Sequence, residues 1–286
     1  MKKYVLLGSL SLLVLLIFAL VQYISFHDNK LHIVFCDVGQ GDAILVKTPK
    51  NSFMLFDSGP DDTVVGCLGR NMPFWDHHLS LALLTHPHAD HLNGFVPVFQ
   101  SYIIDQFITE RLANKTIGYK KLLGEIKSTH TPEEIALAGD SIKTETITLH
   151  FVGPTDTYLQ DTSPRGFIGE TGEFGSLETL ISFGKFRMLL TGDSQAAELE
   201  QALSLIPGKL TVLQVPHHGS KTGLTTDILA RLTPQLAVIS VGAHNKYGHP
   251  APSTLDLLNQ YKISYLRTDQ KGDIEIVSDG KKWKVR

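Results

Sequence analysis

Apolar and polar positions along this chain fall into two regimes. The first is the uncharged run from Tyr4 to Ile24, YVLLGSLSLLVLLIFALVQYI, which as a helix would reach about 30 Å, the thickness of a bilayer core. The second begins at Leu31, where short apolar runs alternate with amphipathic ones. LHIVFC, AILVKT and FMLFD, each closed by Gly, Pro or Asp-Ser-Gly, predict strands of an initial meander and a half-buried sheet. LALLT (81 to 85) reads as a strand, as do ETLISFG, FRMLLTG, LTVLQV, LAVISV, ISYLRT and IEIVS further on. Helical spacing follows His91 and recurs near 194 to 206, 223 to 232 and 253 to 261. This alternation predicts α/β layers with helices outside a sheet core. The stretch from about 155 to 175, rich in Gly, Ser, Thr and Asp, reads as a long loop of the functional or mobile kind. No internal repeat or linker divides the body, so residues 31–286 are read as one unit.

Composition narrows the classes. An apolar content of 42% with 19% charged residues excludes a disordered or low-complexity chain. Without Lys2 and Lys3, 24 basic side chains face 29 acidic ones, a net charge near -5. Such a body exerts no global pull on a polyanion, so any binding of that kind needs a local basic patch or bound metal ions. The two cysteines, Cys36 and Cys67, allow at most one bridge. The apolar run ends without a small-x-small site, so residues 1–27 read as an uncleaved anchor. Lys2 and Lys3 keep its N-terminus cytoplasmic under the positive-inside rule, which makes the protein single-pass with an extracytoplasmic body. That compartment permits a Cys36 to Cys67 bridge without requiring it.

The chemistry concentrates after strands. His86-Pro87-His88-Ala89-Asp90-His91 puts three imidazoles and a carboxylate at the end of a buried strand, where a turn can aim them at one cation. Leu189-Leu190-Thr191-Gly192-Asp193 ends in a carboxylate able to bridge two metals, although a Gly-Asp at a strand end is more often a turn former or helix cap. Val215-Pro216-His217-His218-Gly219-Ser220 and Asn245-Lys246-Tyr247-Gly248-His249-Pro250 follow two more strands. Six of the thirteen histidines thus fall just beyond strand ends, where they can converge at one sheet edge.

With DVGQGDA (37 to 43) and DSG (57 to 59) added, the motif order THPHADHLNG, TGD, PHHGS and NKYGHP resembles the metallo-β-lactamase superfamily. More narrowly it resembles the branch related to the hydrolase-like domain of the ComEC/Rec2 competence proteins, over residues 31 to 280. The resemblance implies an αββα four-layer sandwich with a metal site at one edge of two sheets. It implies that His86 and His88 bind one metal, that Asp90 and His91 bind the other, and that Asp193 bridges. His217 or His218 completes the second site. Many members carry another histidine between the first motif and the bridging Asp. Here only His130 and His150 are available, and His150 lies in an apolar run that suits a core histidine better than a ligand. The first metal could instead take His249.

Two cations about 3.5 to 4 Å apart could hold a bridging hydroxide and stabilise charge on a phosphoryl or carbonyl oxygen. Zn²⁺ suits mixed His/Asp ligation, with Mn²⁺ and Fe²⁺ as alternatives. Asp90 and an unligated His218 or His249 are the catalytic candidates. Asp37, Gln40, Asp42 and Asp57 could orient ligand imidazoles, or simply shape turns. The leading expectation is therefore a membrane-anchored metal-dependent phosphodiesterase, its substrate being DNA by resemblance. The short basic clusters Lys185/Arg187 and 281–286 add little to that. A phosphorylcholine-esterase-like wall hydrolase is the second reading; it requires an aromatic cage, for which Phe74, Trp75 and Tyr247 are available. A non-catalytic surface module that lost the middle histidine is the third. Nothing in the sequence identifies a protein partner or an organic cofactor.

Overall fold

The protein is described here by a computed structural model covering residues 2–171 and 174–286. Met1 of the expected anchor and residues 172 and 173 of the expected long loop lie outside the described residues. Helix Lys2–Phe26 contains the stretch Leu6–Phe26, long and apolar enough to cross a membrane.

Two sheets make the body. The eight-stranded sheet runs in the order Trp283–Val285, Ile274–Ser278, Leu31–Phe35, Ile44–Lys47, Phe53–Phe56, Leu81–Leu84, Phe107–Thr109 and Glu133–Ile135. The seven-stranded sheet runs Ser264–Arg267, Leu236–Ile239, Val212–Gln214, Phe186–Leu190, Glu178–Phe183, Thr148–Gly153 and Ser141–Lys143. The meander is antiparallel, and its strand Phe53–Phe56 then pairs in parallel with Leu81–Leu84.

The expectation of a half-buried meander is corrected: its strands are buried on both faces. Because side chains alternate across a strand, Ile33 and Phe35 enter the core between the sheets with Leu149, Ile181 and Val212. Val34 and Cys36 point the other way, toward helices Thr63–Asn71, Phe95–Ser101 and Ile117–Thr129. A third core lies between the seven-stranded sheet and helices Ala196–Ala202, Thr226–Leu232 and Pro252–Gln260. The four layers are thus helix, sheet, sheet, helix.

Cys36, one residue past its strand, is disulfide-bonded to Cys67 on helix Thr63–Asn71. The bridge ties sheet to covering helix and closes a loop whose constraint is worth about 3 to 4 kcal/mol. The expected long loop also contains helix Asp156–Thr162. Thr155 caps it by accepting a hydrogen bond from the Tyr158 N–H. Its Leu159 packs with Leu112 and Phe174 in a small separate core.

Candidate metal centre

Every chemical motif lies at one edge of the sandwich. Strand Leu81–Leu84 delivers Thr85, whose backbone N–H and hydroxyl each donate to the Asp57 carboxylate at 2.8 Å. Because that hydroxyl is committed to Asp57, it accepts from His86 Nδ1 at 3.1 Å, which leaves a lone pair on His86 Nε2 directed toward His88 and Asp193. That nitrogen is 2.9 Å from His88 Nδ1 and 3.7 Å from Asp193 Oδ2. Burial is the main cause that lowers the pKa of both imidazoles, well below the ordinary value for His86. They are neutral, as metal ligation requires.

His91 is turned the other way round. Its Nδ1 donates to Asp57 Oδ2 at 2.8 Å, and its Nε2 points at Asp193 Oδ1, 3.3 Å away. Burial acts most strongly to lower its pKa, but Asp193 and Asp57 together outweigh it and raise the pKa well above normal. His218 Nδ1 donates to the Ser240 carbonyl at 3.0 Å. Its Nε2 then lies 3.3 Å from Asp193 Oδ1 and 3.5 Å from Asp90 Oδ2. Burial opposes, yet Asp193 and Asp42 push its pKa up to about 9. Asp193 itself is held well below the usual carboxylate range: burial works against this, and His218 and His91 prevail.

Asp193 thus divides its oxygens. Oδ1 faces His91 and His218, while Oδ2 faces His86 and, at 3.5 Å, His217. Two ligand sets result: Asp90, His91, Asp193 and His218 form one, and His86, His88 and Asp193 the other. His91 Nε2, His218 Nε2 and Asp193 Oδ1 are buried without hydrogen-bond partners. Two imidazole nitrogens, each 3.3 Å from one carboxylate oxygen and buried without a hydrogen-bond partner, are what a cation-binding site needs and what a structural polar core avoids.

Close backbone approach makes this possible at two glycines. A Cβ on Gly41 would stand 2.2 Å from the Asp90 carbonyl oxygen, to which Asp42 N–H donates. Gly192, at φ +49°, lets Asp193 N–H reach Ser176 Oγ, which a Cβ would approach to 2.3 Å.

His217 and His218 both occupy left-handed backbone, at φ 52° and 55°, so consecutive side chains diverge. His218 turns inward, and His217, 28% exposed, lines the cleft. The cleft holds about 370 Å³ and is bounded also by Gln40, Phe174, Tyr247 and His249. His249 Nδ1 lacks a partner, and burial with neighbouring imidazoles lowers its pKa.

Several expectations need correction. His150 and His130 are both exposed, so His150 is neither a core histidine nor a ligand. Next to His86 stands Phe174, its ring stacked at 5.1 Å and 17° and set edge-on to His88 at 4.7 Å. The proposed aromatic cage does not assemble: Tyr247 is in the cleft, whereas Phe74 and Trp75 line no part of it. Sequence reasoning missed Phe174, Thr85 and Gln214. Gln214 donates to Asp42 at 2.7 Å and accepts from Thr191 N–H, a link between the sheets that no spacing signals.

Among solved structures, the metallo-β-lactamase fold protein YhfI from Bacillus subtilis superposes with TM-score 0.57 at 12% identity, covering 87% of this chain and all of that one. Igni18, a metallo hydrolase from Ignicoccus hospitalis, gives 0.54 at 12% identity over 85% of this chain and 98% of that one. The fold is the metallo-β-lactamase fold. No family model matches the chain. ComE operon protein 3 of Bacillus subtilis is 26% identical over 84% of this chain and 32% of its own length. Recombination protein 2 of Haemophilus influenzae is 27% identical over 92% and 31%, and competence protein ComA of Neisseria gonorrhoeae 26% over 87% and 32%. The chain therefore spans about a third of the length of these relatives. This chain thus joins the metallo-β-lactamase fold to a His/Asp cluster able to hold divalent metal, and its relatives include competence proteins.

Proposed function

We propose that this protein is a membrane-anchored, extracytoplasmic metallohydrolase that cleaves phosphodiesters, and that its substrate is DNA. The observation that carries the reading is Asp193 standing between two ligand sets with one oxygen toward each. His86, His88 and Asp193 would hold one cation, and Asp90, His91, His218 and Asp193 a second. Zn²⁺ fits this His/Asp set, with Mn²⁺ or Fe²⁺ as substitutes. Once bound, such a pair supplies Lewis acidity at a phosphoryl oxygen and acidifies water.

The chain's own residues supply the rest. Asp57 and the Ser240 carbonyl fix the ligand imidazoles from behind. Asp90, whose pKa is lowered mainly by the His218 imidazole 3.5 Å away acting against burial, stays ionised. His249 lines the cleft with Nδ1 unpartnered and is the residue placed to exchange a proton there; burial and neighbouring imidazoles lower its pKa, so its neutral, proton-accepting form dominates. Phe174 and Tyr247 supply aromatic walls of the cleft.

Two cationic side chains lie over aromatic rings on separate loops, Lys246 over Tyr247 at 5.5 Å and Lys115 over Phe167 at 4.5 Å, and offer local positive charge to a polyanion on an acidic body. The Lys115 loop is tied to the first motif by Asn114 donating to the Pro87 carbonyl at 2.7 Å. Extracytoplasmic placement is supported by Lys2 and Lys3 ahead of the apolar helix and by the Cys36–Cys67 disulfide. The names of the relatives, competence and recombination proteins, favour DNA.

The test uses the full chain in detergent, with metal content and cleavage of bis(p-nitrophenyl) phosphate, single-stranded DNA, duplex DNA and a phosphocholine ester measured side by side. About two metals per chain are expected, with DNA cleaved and Asp90→Ala inactive. A chain with no tightly held metal, or a metal-loaded chain that leaves every diester intact, overturns the proposal.

A further inference from the structure

Phe74 and Trp75 are large aromatic side chains, 60% and 44% exposed, in edge-to-face contact at 4.8 Å on the turn after helix Thr63–Asn71. They stand beside the anchor, not the metal centre. The Phe74 ring lies 6.2 Å from the ring of Phe18, nearly parallel at 24°. Phe18 is eight residues, about 12 Å of helical rise, before the helix ends at Phe26. Ala19, Gln22 and Phe26 are partly buried at the 3-and-4 spacing of one helix face, and Phe26 packs on the helix-covered core of the eight-stranded sheet. The last two turns of the apolar helix therefore run alongside the body instead of ending above it.

We propose that the turn Pro73–Trp75 is a second membrane contact, its aromatic rings dipping into the apolar layer of the same bilayer that helix Lys2–Phe26 crosses. The inference rests on the anchoring proposed above. If Leu6–Phe26 fills the bilayer, a side chain level with Phe18 lies about 12 Å below the Phe26 end, within the hydrocarbon, where exposed aromatic rings are favoured over full hydration. A polar collar sits behind the aromatic tip. Arg70–Asp273 at 2.8 Å, Lys47–Asp28 at 3.1 Å and Arg286–Glu275 at 3.5 Å border a cavity of about 180 Å³ that Ser25 and Phe26 also line. That places charged pairs at headgroup level and apolar rings beneath them, the layering of an interfacial surface.

The chain has two tryptophans, so Trp283→Phe leaves Trp75 as sole reporter in the full-length protein. Reconstituted into vesicles of phosphatidylcholine and phosphatidylglycerol, Trp75 is expected to emit to the blue of a water-exposed tryptophan and to lose most of its emission when the acyl chains carry bromine. Phe74→Asp should return its emission toward the aqueous value. Subtracting the spectrum of Trp75→Phe from that of the unaltered chain gives the same answer should Trp283→Phe fold poorly. A third protein, Phe18→Trp with both native tryptophans replaced by Phe, reports on the helix alone. Quenching at position 18 without quenching at Trp75 overturns the docking and leaves the anchor standing, whereas absence of quenching at both overturns both. A blue-shifted Trp75 that bromine does not quench, and that depends on protein density in the vesicle, means a second copy covers the turn and also overturns the proposal.

Discussion

His217 and His218 are identical side chains at consecutive positions in the chain, yet they face different surroundings. The left-handed backbone at both positions splays them, and the Ser240 carbonyl, 22 residues on, takes His218 Nδ1 and thereby selects Nε2 for the centre. No spacing in the sequence carries that choice, which is why the pair could be placed at the site from sequence but not ordered within it. Asp57 is similar: a turn former at φ 55° and the buried acceptor for both His91 and Thr85. Burial raises its pKa and the His91 imidazole opposes the rise, so its charge matters mainly through that imidazole. Asp57→Asn tolerates the same backbone and keeps one acceptor, but it removes the charge and sets an amide donor against Thr85. Metal affinity, read by chelator competition, is expected to fall about 10- to 100-fold with the fold intact by circular dichroism. Unchanged affinity would mean that Asp57 only shapes the turn.

Between elements, the informative contact is a pair of acids. Glu178 on strand Glu178–Phe183 and Glu198 on helix Ala196–Ala202 are both fully buried. Burial pushes Glu178 up to about 8, and burial with the neighbouring Glu178 charge raises Glu198 well above normal. Glu198 nonetheless accepts from the Ser176 N–H at 2.9 Å, and Ser176 in turn seats Asp193. A folded-state pKa raised above the unfolded 4.5 means that the folded chain holds a proton the unfolded chain releases. Stability from Glu178 is then highest below pH 4.5 and declines as pH rises, by about 1.4 kcal/mol per unit, until about pH 8. Glu178→Gln should flatten that decline, raising the thermal midpoint at pH 7.5 more than at pH 5, with metal saturating in both proteins. An equal shift at both pH values would show Glu178 ionised in the fold.

Sequence patterning reached the strands whose runs are continuously apolar and, through spacing, helices Ala196–Ala202, Thr226–Leu232 and Pro252–Gln260, but not helices Thr63–Asn71 and Ile117–Thr129. It did not reach helix Asp156–Thr162, a polar element of barely two turns held by one cap and by Leu159 packing against Phe174. For the same reason it could not place Phe174 over His86, because a tertiary contact, not a local pattern, sets that ring.

On the scale of the whole molecule, the candidate metal centre is a seam. His86, His88, Asp90 and His91 follow a strand of the eight-stranded sheet, while Asp193, His217 and His218 follow strands of the seven-stranded one. Without metal, the seam is closed at this edge by hydrogen bonds from Gln214 to Asp42 and from Leu177 N–H to the Thr85 carbonyl, and by protonated imidazoles facing Asp193. The imidazole share depends on pH. His218, raised to about 9 in the fold against an unfolded value near 6.5, contributes stability that is complete below pH 6.5 and gone once pH passes about 9. Cations in its place would need His218 neutral, so raising the pH weakens the metal-free seam and strengthens the loaded one. The gap in thermal midpoint between metal-saturated and EDTA-treated protein is therefore expected to widen from pH 6.5 to 8.5. At pH 8.5, metal at 100 times its dissociation constant should add about 2.7 kcal/mol per site. Glu178 and Glu198 tilt both curves alike and cancel in the difference. A gap that stays constant or closes with rising pH would mean that the imidazoles facing Asp193 release no protons on loading, and that this edge is not where the cations sit.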